Sequence, residues 1–254
     1  MISLSTSWLL SSWLLGPEVN AQDTDPYDLL LQAHVHGSSV DYQGIRSQRA
    51  VLDGYLDSLA RADLSALDRS GTMAFWINTY NALTLDLVAD AYPLGSIMEL
   101  DDGKVWDTRT FRVAGQSVTL NAIEHTILRP MGDPRIHAAI SCASRGCPPL
   151  SDRAFSAEQL DRQLDAACLQ WAGTNAMVID RQAGTIGLSS IFDWFGDDFT
   201  SAHGQTFFDI PEVTGKPEAA LNFLSGHLDP DTAAWIRSGG HTTSFLPYDW
   251  KLND

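Results

Sequence analysis

The residue types best suited to chemistry are concentrated in the segment from Arg135 to Leu150. This segment contains His137 and two of the three cysteines of the chain, Cys142 and Cys147, in a short run that ends in a Gly/Pro turn. A cysteine thiolate is a nucleophile and a soft metal ligand, and an imidazole is a suitable base. The apolar residues before the turn predict a β-strand that carries His137 and presents Cys142 at its end, where scaffolds commonly place reactive groups.

A second segment, Asn121 to Arg129, adds the adjacent pair Glu124 and His125. Asn121 and Glu124 have the spacing of a capping box, in which both side chains satisfy backbone N–H groups at a helix start. The same helix would place Glu124 on its apolar face, where a carboxylate needs a partner or has a shifted pKa. Capping and a role in a site are therefore both open for Glu124. From its position we expect it to be buried and hydrogen-bonded.

Three interpretations are open for Cys142 and Cys147. They form a structural disulfide, or they bind a metal ion as thiolates together with His125 and His137, or Cys142 is a nucleophile beside a base. Four residues separate the two cysteines, which is a long spacing for a zinc knuckle, so no cofactor is predicted and zinc is the alternative. The third cysteine, Cys168, lies in an amphipathic helix and is predicted to be buried.

Two amides, Asn78 and Asn81, lie one turn apart in the most apolar helix of the chain, predicted over residues 73–91. Buried amides must be hydrogen-bonded. Asn78 therefore either lines a site and positions a substrate or an imidazole, or belongs to a structural network that holds neighbouring loops.

Composition bounds the class of protein. The 254 residues carry 32 acidic and 16 basic side chains, a formal net charge of -16. Such a charge repels phosphate backbones, so nucleic acid is not expected as a partner. After the N-terminal region no run is long and apolar enough to span a membrane, and no stable membrane insertion is expected. The substrate, if there is one, is expected to be an unidentified small molecule or peptide.

The first 21 residues are predicted to be a signal peptide. Ser7 to Gly16 is an apolar stretch too short to cross a bilayer, and Val19 to Ala21 has the small residues that signal peptidase requires. The mature chain would then begin near Gln22, and residues 22–254 would form a single exported domain, periplasmic or extracellular.

The pattern of elements predicts an α+β fold. Helical periodicity is frequent, and the short strands include hairpins around Ala114-Gly115 and between residues 177–180 and 185–188. Strands and helices do not alternate regularly, which disfavours a doubly wound sheet. The expected architecture is one mixed domain with several helices around a small, mainly antiparallel sheet and a central buried helix over residues 73–91.

The chain resembles the family called domain of unknown function 547 in several segments, which occur in the family's order and cover nearly all of residues 22–254. The matching segments are Val40-Asp-Tyr42, Ala74-Phe-Trp-Ile-Asn-Thr-Tyr-Asn-Ala82, residues 120–129, residues 135–150, Ile191-Phe-Asp-Trp-Phe-Gly-Asp-Asp-Phe199 and Leu246-Pro-Tyr-Asp-Trp-Lys-Leu-Asn253. The family has no established activity. The resemblance implies a secreted bacterial protein, and the plant members joined to glutaredoxin-like modules suggest thiol chemistry.

The chain is also weakly similar to papain-like and transglutaminase-like folds, in which a central helix carries the nucleophile. Here that helix has Asn78 instead of a cysteine, so a nucleophile would have to come from the Cys142 segment. The predicted site consists of Asn78, Glu124, His125, His137 and Cys142. In a thiol-dependent hydrolase or acyltransferase, Cys142 would be the nucleophile, His137 or His125 its base, Glu124 the orienting carboxylate and Asn78 a polar clamp. A zinc protein and a non-catalytic binding module with a Cys142–Cys147 disulfide are the alternatives.

Overall fold

Short helices separated by loops make up most of the fold. The structure, a computed structural model, describes residues 25–200 and 208–254. Its α-helices are α1 (Pro26–His34), α2 (Tyr42–Ser47), α3 (Arg49–Arg61), α4 (Arg69–Ala91), α5 (Val105–Thr108), α6 (Leu120–Ala122), α7 (Ile136–Ala139), α8 (Leu160–Ala172), α9 (Ile191–Trp194), α10 (Gly196–Thr200), α11 (Lys216–Ser225) and α12 (Pro230–Arg237). A π-helix covers Ile123–Leu128, and 3-10 helices cover Ile97–Gly103 and Arg129–Met131.

The strands form three small sheets. They are β1 (Val35–His36), β2 (Ser39–Val40), β3 (Phe111–Val113), β4 (Gln116–Val118), β5 (Met177–Asp180), β6 (Thr185–Leu188) and β7 (Thr242–Phe245). β1 pairs with β2, β3 with β4 and β5 with β6, all antiparallel, while β7 joins β6 in parallel. Both predicted hairpins are therefore confirmed. The first turns at Ala114 and Gly115, whose positive φ angles of 46° and 77° match the right-handed twist of its strands. The predicted α+β class is confirmed.

Helix α4 is the predicted central helix, and most of its residues are buried. It begins at Arg69, four residues earlier than its apolar pattern suggests, because the side chain of Asp68 accepts a hydrogen bond from the N–H of Gly71 and caps the helix. It ends at Ala91, just before Tyr92-Pro93, since a residue before proline disfavours the helical conformation. Helices pack around it on several sides, which explains why apolar residues occur around its whole circumference.

Two hydrophobic clusters make up the core of the described residues. The larger surrounds α4 and includes α1, α3 and the β3–β4 hairpin. The smaller cluster surrounds Trp171 of α8 and Phe192 of α9, whose ring centroids are 4.8 Å apart in a stacked arrangement. It also includes residues of the β5–β6–β7 sheet and of α11. Helix α7 lies between them, because Ile136 and Ala139 pack in the first cluster and Ala138 packs in the second.

The predicted strand through His137 is wrong, because these residues form helix α7. The side chain of Asp133 accepts a hydrogen bond from the N–H of Arg135, which starts a turn that continues into the helix. Small residues at Ala138 and Ala139 let the helix fit between the two clusters. The apolar run therefore reflects burial on two sides of a short helix rather than the faces of a strand.

The C-terminal segment after β7 forms backbone hydrogen bonds with distant parts of the chain. The N–H of Val40 in β2 donates to the carbonyl of Asn253, and the N–H of Leu252 donates to the carbonyl of Gly95. Strand β7 ends at Phe245, and residues 246–254 form an extended C-terminal strap. The predicted signal peptide lies outside the described residues. No helix in the described residues is long and apolar enough to cross a membrane.

Candidate functional site

A cavity of about 200 Å³ lies where the two hydrophobic clusters meet. It is predominantly aromatic and also contains a cluster of titratable side chains. Its walls are Tyr80, Trp106, Asn121, Glu124, His125, His137, Ile140, Cys142, Cys147, Pro148, Ile191, Trp194, Phe195, Tyr248 and Trp250. Four of the five predicted site residues, Glu124, His125, His137 and Cys142, therefore share one cavity.

The loop that carries Cys142 is held by the C-terminal strap. The N–H of Arg145 donates to the carbonyl of Lys251 at 2.8 Å, and the N–H of Gly146 donates to that of Asp249 at 2.9 Å. A side chain at Gly146 would meet the ring of Tyr248 at 2.9 Å, so glycine is required for the strap to lie this close. The strap thereby places Tyr248 over Cys142.

Several donors surround the sulfur atom of Cys142. The hydroxyls of Ser144 and Tyr248 both lie 3.0 Å from it, the Cys147 sulfur lies 2.7 Å from it, and the N–H of Ser144 also points to it. Burial alone raises the pKa of a thiol, but these donors favour the thiolate and lower the pKa of Cys142 to about 7. The thiolate is therefore favoured on Cys142 over the neighbouring Cys147.

Cys147 has the opposite character. It is buried, and its sulfur accepts a hydrogen bond of 2.9 Å from the N–H of Cys142. Burial, the hydrogen bond to the Cys142 sulfur and the negative charge there raise the pKa of Cys147 well above that of an ordinary thiol. Neither residue is in a disulfide, and the opposite pKa shifts make Cys147 the donor to the Cys142 sulfur when Cys142 is ionised. Cys168 is buried as predicted, and burial raises its pKa as well.

Glu124 is buried as predicted, with 9% of its surface exposed. The hydroxyl of Tyr80 donates to its Oε2 at 3.3 Å, which confirms the predicted hydrogen bond. Burial first, and then the nearby charge of Cys142, raise the pKa of Glu124 to about 7. The carboxyl group therefore gains and loses a proton at neutral pH, as a general acid and base requires.

Of the two roles left open for Glu124, capping is not the one that the structure shows. The helix cap is Thr119, whose hydroxyl accepts a hydrogen bond of 3.0 Å from the N–H of Ala122. Asn121 instead donates to the carboxylate of Asp107 at 2.7 Å. After this cap the chain widens into a π-helix, in which the N–H of Arg129 donates to the carbonyl of Glu124 five residues earlier. Such π turns frequently occur at functional sites.

His137 is held by Asp198, not by Glu124. Its Nε2 lies 2.8 Å from Oδ2 of Asp198, and its ring stacks on Phe195 with centroids 4.5 Å apart. Because a carboxylate only accepts, Nε2 carries the proton and Nδ1 is left as an acceptor. Burial lowers the pKa of His137 despite the carboxylate, so the ring is neutral at pH 7. The orienting carboxylate is thus Asp198, which also forms a two-point ion pair with Arg129.

His125 lies at the rim of the cavity. Arg129 donates to its Nδ1 at 2.7 Å, so this nitrogen is an acceptor and the ring is neutral. Burial and the positive charge of Arg129 lower the pKa of His125. Neither histidine is therefore an imidazolium beside the thiolate, and the hydroxyl and thiol donors stabilise the charge of Cys142 instead.

Asn78 is not brought into this cavity. Its amide donates to the carbonyl of Phe155 and accepts from its N–H, both at 2.8 Å, and it lines a separate polar cavity. Asn81 is the amide that supports the site. It donates to the carbonyl of Ala139 and accepts from the N–H of Ser141, both at 2.9 Å, and so fixes the chain immediately before Cys142.

Aromatic residues that were not predicted as site residues form one wall of the cavity. Trp194 and Tyr248 lie 4.8 Å apart, Tyr248 and Trp250 lie 4.5 Å apart, and Trp106 lies 6.0 Å from Trp250, between ring centroids. Trp194 is 47% exposed, which is unusual for so large an apolar side chain. These residues come from three distant segments, two of which already carried the family resemblance.

Metal ligation was an alternative for this cluster. Within residues 25–200 and 208–254, no group of three or more His, Cys, Asp and Glu side chains has the arrangement to hold a metal ion. The nitrogens of the two cavity histidines that face Asp198 and Arg129 are already engaged. Zinc bound by His125, His137 and the cysteines stays an alternative.

Comparison with known proteins agrees with the family resemblance. Residues 64–171 match the family described as "Protein of unknown function, DUF547", and this region includes α4, Glu124, His137 and both cavity cysteines. The search of curated proteins and the search of solved structures each found no match.

Proposed function

We propose that this chain, a member of the domain of unknown function 547 family through residues 64–171, is a thiol-dependent hydrolase or acyltransferase with Cys142 as its nucleophile. The observation that carries the proposal is the group of donors around the Cys142 sulfur, which lowers its pKa to about 7 at the wall of a cavity. A buried cysteine with a merely structural role has no need of a stabilised thiolate.

Glu124 supplies the second function that acyl transfer requires. With a pKa of about 7 in the same cavity, it exists in both protonation states at neutral pH. The Cys142 thiolate attacks the acyl carbon, and the leaving group departs with the proton of Glu124. Water or another acceptor then attacks the thioester and gives its proton to the Glu124 carboxylate, and Cys142 leaves as a thiolate.

The two histidines have supporting roles in this scheme. The imidazole of His137 is neutral, fixed by Asp198 and stacked on Phe195. It therefore shapes the cavity and offers Nδ1 as an acceptor, while His125 lies at the rim beside Arg129. The Asp198–His137 pair thus holds Phe195 at the cavity wall, and Glu124 donates and accepts the proton.

The cavity favours an apolar, ring-sized acyl group. An apolar cavity of roughly 150 Å³ can hold a benzene molecule. The cavity here is about 200 Å³, and Trp194, Tyr248 and Trp250 line it. Offset and edge-on aromatic contacts with these rings would stabilise a phenyl group beside the Cys142 sulfur. The substrate class proposed is therefore a small aryl ester or thioester, or a peptide with an aromatic side chain at the scissile bond.

The proposal is tested by looking for the acyl-enzyme. The reduced protein is mixed with p-nitrophenyl phenylacetate, quenched with acid and digested, and the peptides are examined by mass spectrometry. We expect a phenylacetyl group on Cys142, its absence in Cys142→Ala, and its retention in the control Cys168→Ala. Turnover by Cys142→Ala at the wild-type rate, or acylation only at other residues, would refute the nucleophile role.

We also propose that the protein is exported to the periplasm or the extracellular space and is cleaved near Gln22. This rests on the apolar run of residues 7–16 and the small residues at 19–21. Mass spectrometry of the protein recovered from the producing cells should give a chain that begins near Gln22. An exported chain that still contains residues 1–15 would contradict the proposal.

A further inference from the structure

The sulfur atoms of Cys142 and Cys147 are close enough to form a disulfide bond with each other. Their sulfur atoms are 2.7 Å apart, and the two residues lie five positions apart in a loop fixed by the C-terminal strap. A disulfide bond is about 2.05 Å long, so oxidation requires the sulfur atoms to approach by less than about 1 Å. The loop is thus already arranged to close a bond between these two residues.

The two thiols are also unequal in a way that assigns them an order of reaction. Both residues line the cavity, but Cys142 is partly exposed whereas Cys147 is buried. The donors Ser144 and Tyr248 act on the sulfur of Cys142. In thiol–disulfide exchange, an accessible thiolate attacks first, and a neighbouring thiol then resolves the mixed disulfide. Cys142 is therefore suited to attack first, and Cys147 is suited to resolve the mixed disulfide.

We propose that Cys142 and Cys147 form a dithiol–disulfide couple that exchanges with small or peptide disulfides in the same cavity. The Cys142 thiolate attacks a disulfide RSSR, forms a mixed disulfide Cys142–S–S–R and releases RS⁻. The Cys147 sulfur then attacks Cys142, the internal disulfide forms, and R leaves as RSH with the proton of Cys147. The protein loses two electrons, and the substrate disulfide is reduced to two thiols.

Removal of the Cys142 charge favours the second step, and burial, the largest cause of the high pKa of Cys147, remains. In the reduced protein that charge contributes to the high pKa of Cys147. Once Cys142 is part of a mixed disulfide, it is neutral, and Cys147 loses its proton more readily. The exchange shares Cys142 with acyl transfer but does not depend on it, and the oxidised form has no nucleophile for acyl transfer.

The experiment uses the reduced full chain, glutathione disulfide as the probe, and intact-mass analysis after the remaining thiols are blocked with iodoacetamide in denaturant, so that every free cysteine is counted. We expect the wild type to lose two reactive thiols and retain no glutathione, with a Cys142–Cys147 cross-link in the peptide map. Cys147→Ser should instead accumulate one glutathione on Cys142. Cys142→Ser should acquire neither, and the control Cys168→Ser should behave as the wild type.

The outcomes separate this inference from the proposed acyl transfer. A wild-type protein that keeps glutathione on Cys142 and never forms the internal disulfide would overturn the exchange, even if Cys142 is acylated by p-nitrophenyl phenylacetate. An internal disulfide that forms but resists reduction by a large excess of glutathione would also overturn it, since the bond would then be structural. Rapid exchange without any acyl-enzyme would support the couple and remove the acyl-transfer proposal alone.

Discussion

Replacing Glu124 by Gln tests the protonation of the buried carboxyl group through the stability of the fold. The pKa of Glu124 is raised from 4.5 to about 7 by burial and by the charge of Cys142. Each unit of pKa difference corresponds to about 1.4 kcal/mol, so ionising this group in the folded protein costs about 3 kcal/mol. Gln keeps the shape and can still accept from Tyr80, but it cannot ionise.

The sign of the pH dependence follows from linkage. Because the pKa is higher in the folded chain, the stability associated with protonated Glu124 is fully present below about pH 4.5 and is lost as the pH rises through about 7. Relative to Glu124→Gln, the wild type should therefore lose up to about 3 kcal/mol of unfolding free energy between pH 5 and pH 8.

Urea unfolding of both proteins at a series of pH values measures this difference. Glu158→Gln is the control, because Glu158 is an exposed carboxylate and its curve should run parallel to that of the wild type. In a Cys142→Ser background the effect of Glu124→Gln should become smaller, since the thiolate charge no longer contributes. Parallel wild-type and Glu124→Gln curves across the whole range would refute the raised pKa and the proton-transfer role with it.

Three further substitutions test the surroundings of the site. Tyr248→Phe removes a hydrogen-bond donor to the Cys142 thiolate, and such a bond is worth about 1.5–3 kcal/mol. The pKa of Cys142 should therefore rise by at least about one unit, and its alkylation at pH 7 should slow. An unchanged alkylation rate would contradict the assigned hydrogen bond. Asp198→Asn should lower the free energy of unfolding by about 2 kcal/mol, because the two-point ion pair with Arg129 and the contact to His137 are lost. An unchanged urea midpoint would argue against a stabilising role for Asp198. Trp194→Ala should raise KM for aryl esters and leave the melting temperature nearly unchanged, since the side chain is 47% exposed, and an unaltered KM would remove Trp194 from the substrate pocket.

The parts of the fold that depend on local sequence were predictable. Helix α4, the β3–β4 hairpin and the burial of Cys168 each follow from a short periodic pattern or turn signal. The grouping of Glu124 with Cys142 was also anticipated, because the two lie in neighbouring segments of the chain. These predictions needed no knowledge of distant contacts.

The remainder of the site could not be read from local patterns. Asp198 is 61 residues from His137, and Tyr248 is 106 residues from Cys142, so only the folded topology brings these partners together. The strand predicted through His137 became a helix because its apolar residues face two different clusters. Asn78 and Asn81 look alike in sequence, and only the position of the Cys142 loop decides which of them supports the site.

The most direct test of the central claim is the pH dependence of iodoacetamide labelling of the reduced native protein, mapped cysteine by cysteine. The account predicts that Cys142 reacts first, with a midpoint near pH 7, while Cys147 and Cys168 stay unlabelled because burial raises the pKa of both. A midpoint for Cys142 at pH 9 or above, or faster labelling of Cys168, would show that Cys142 is not a stabilised thiolate and would contradict the account.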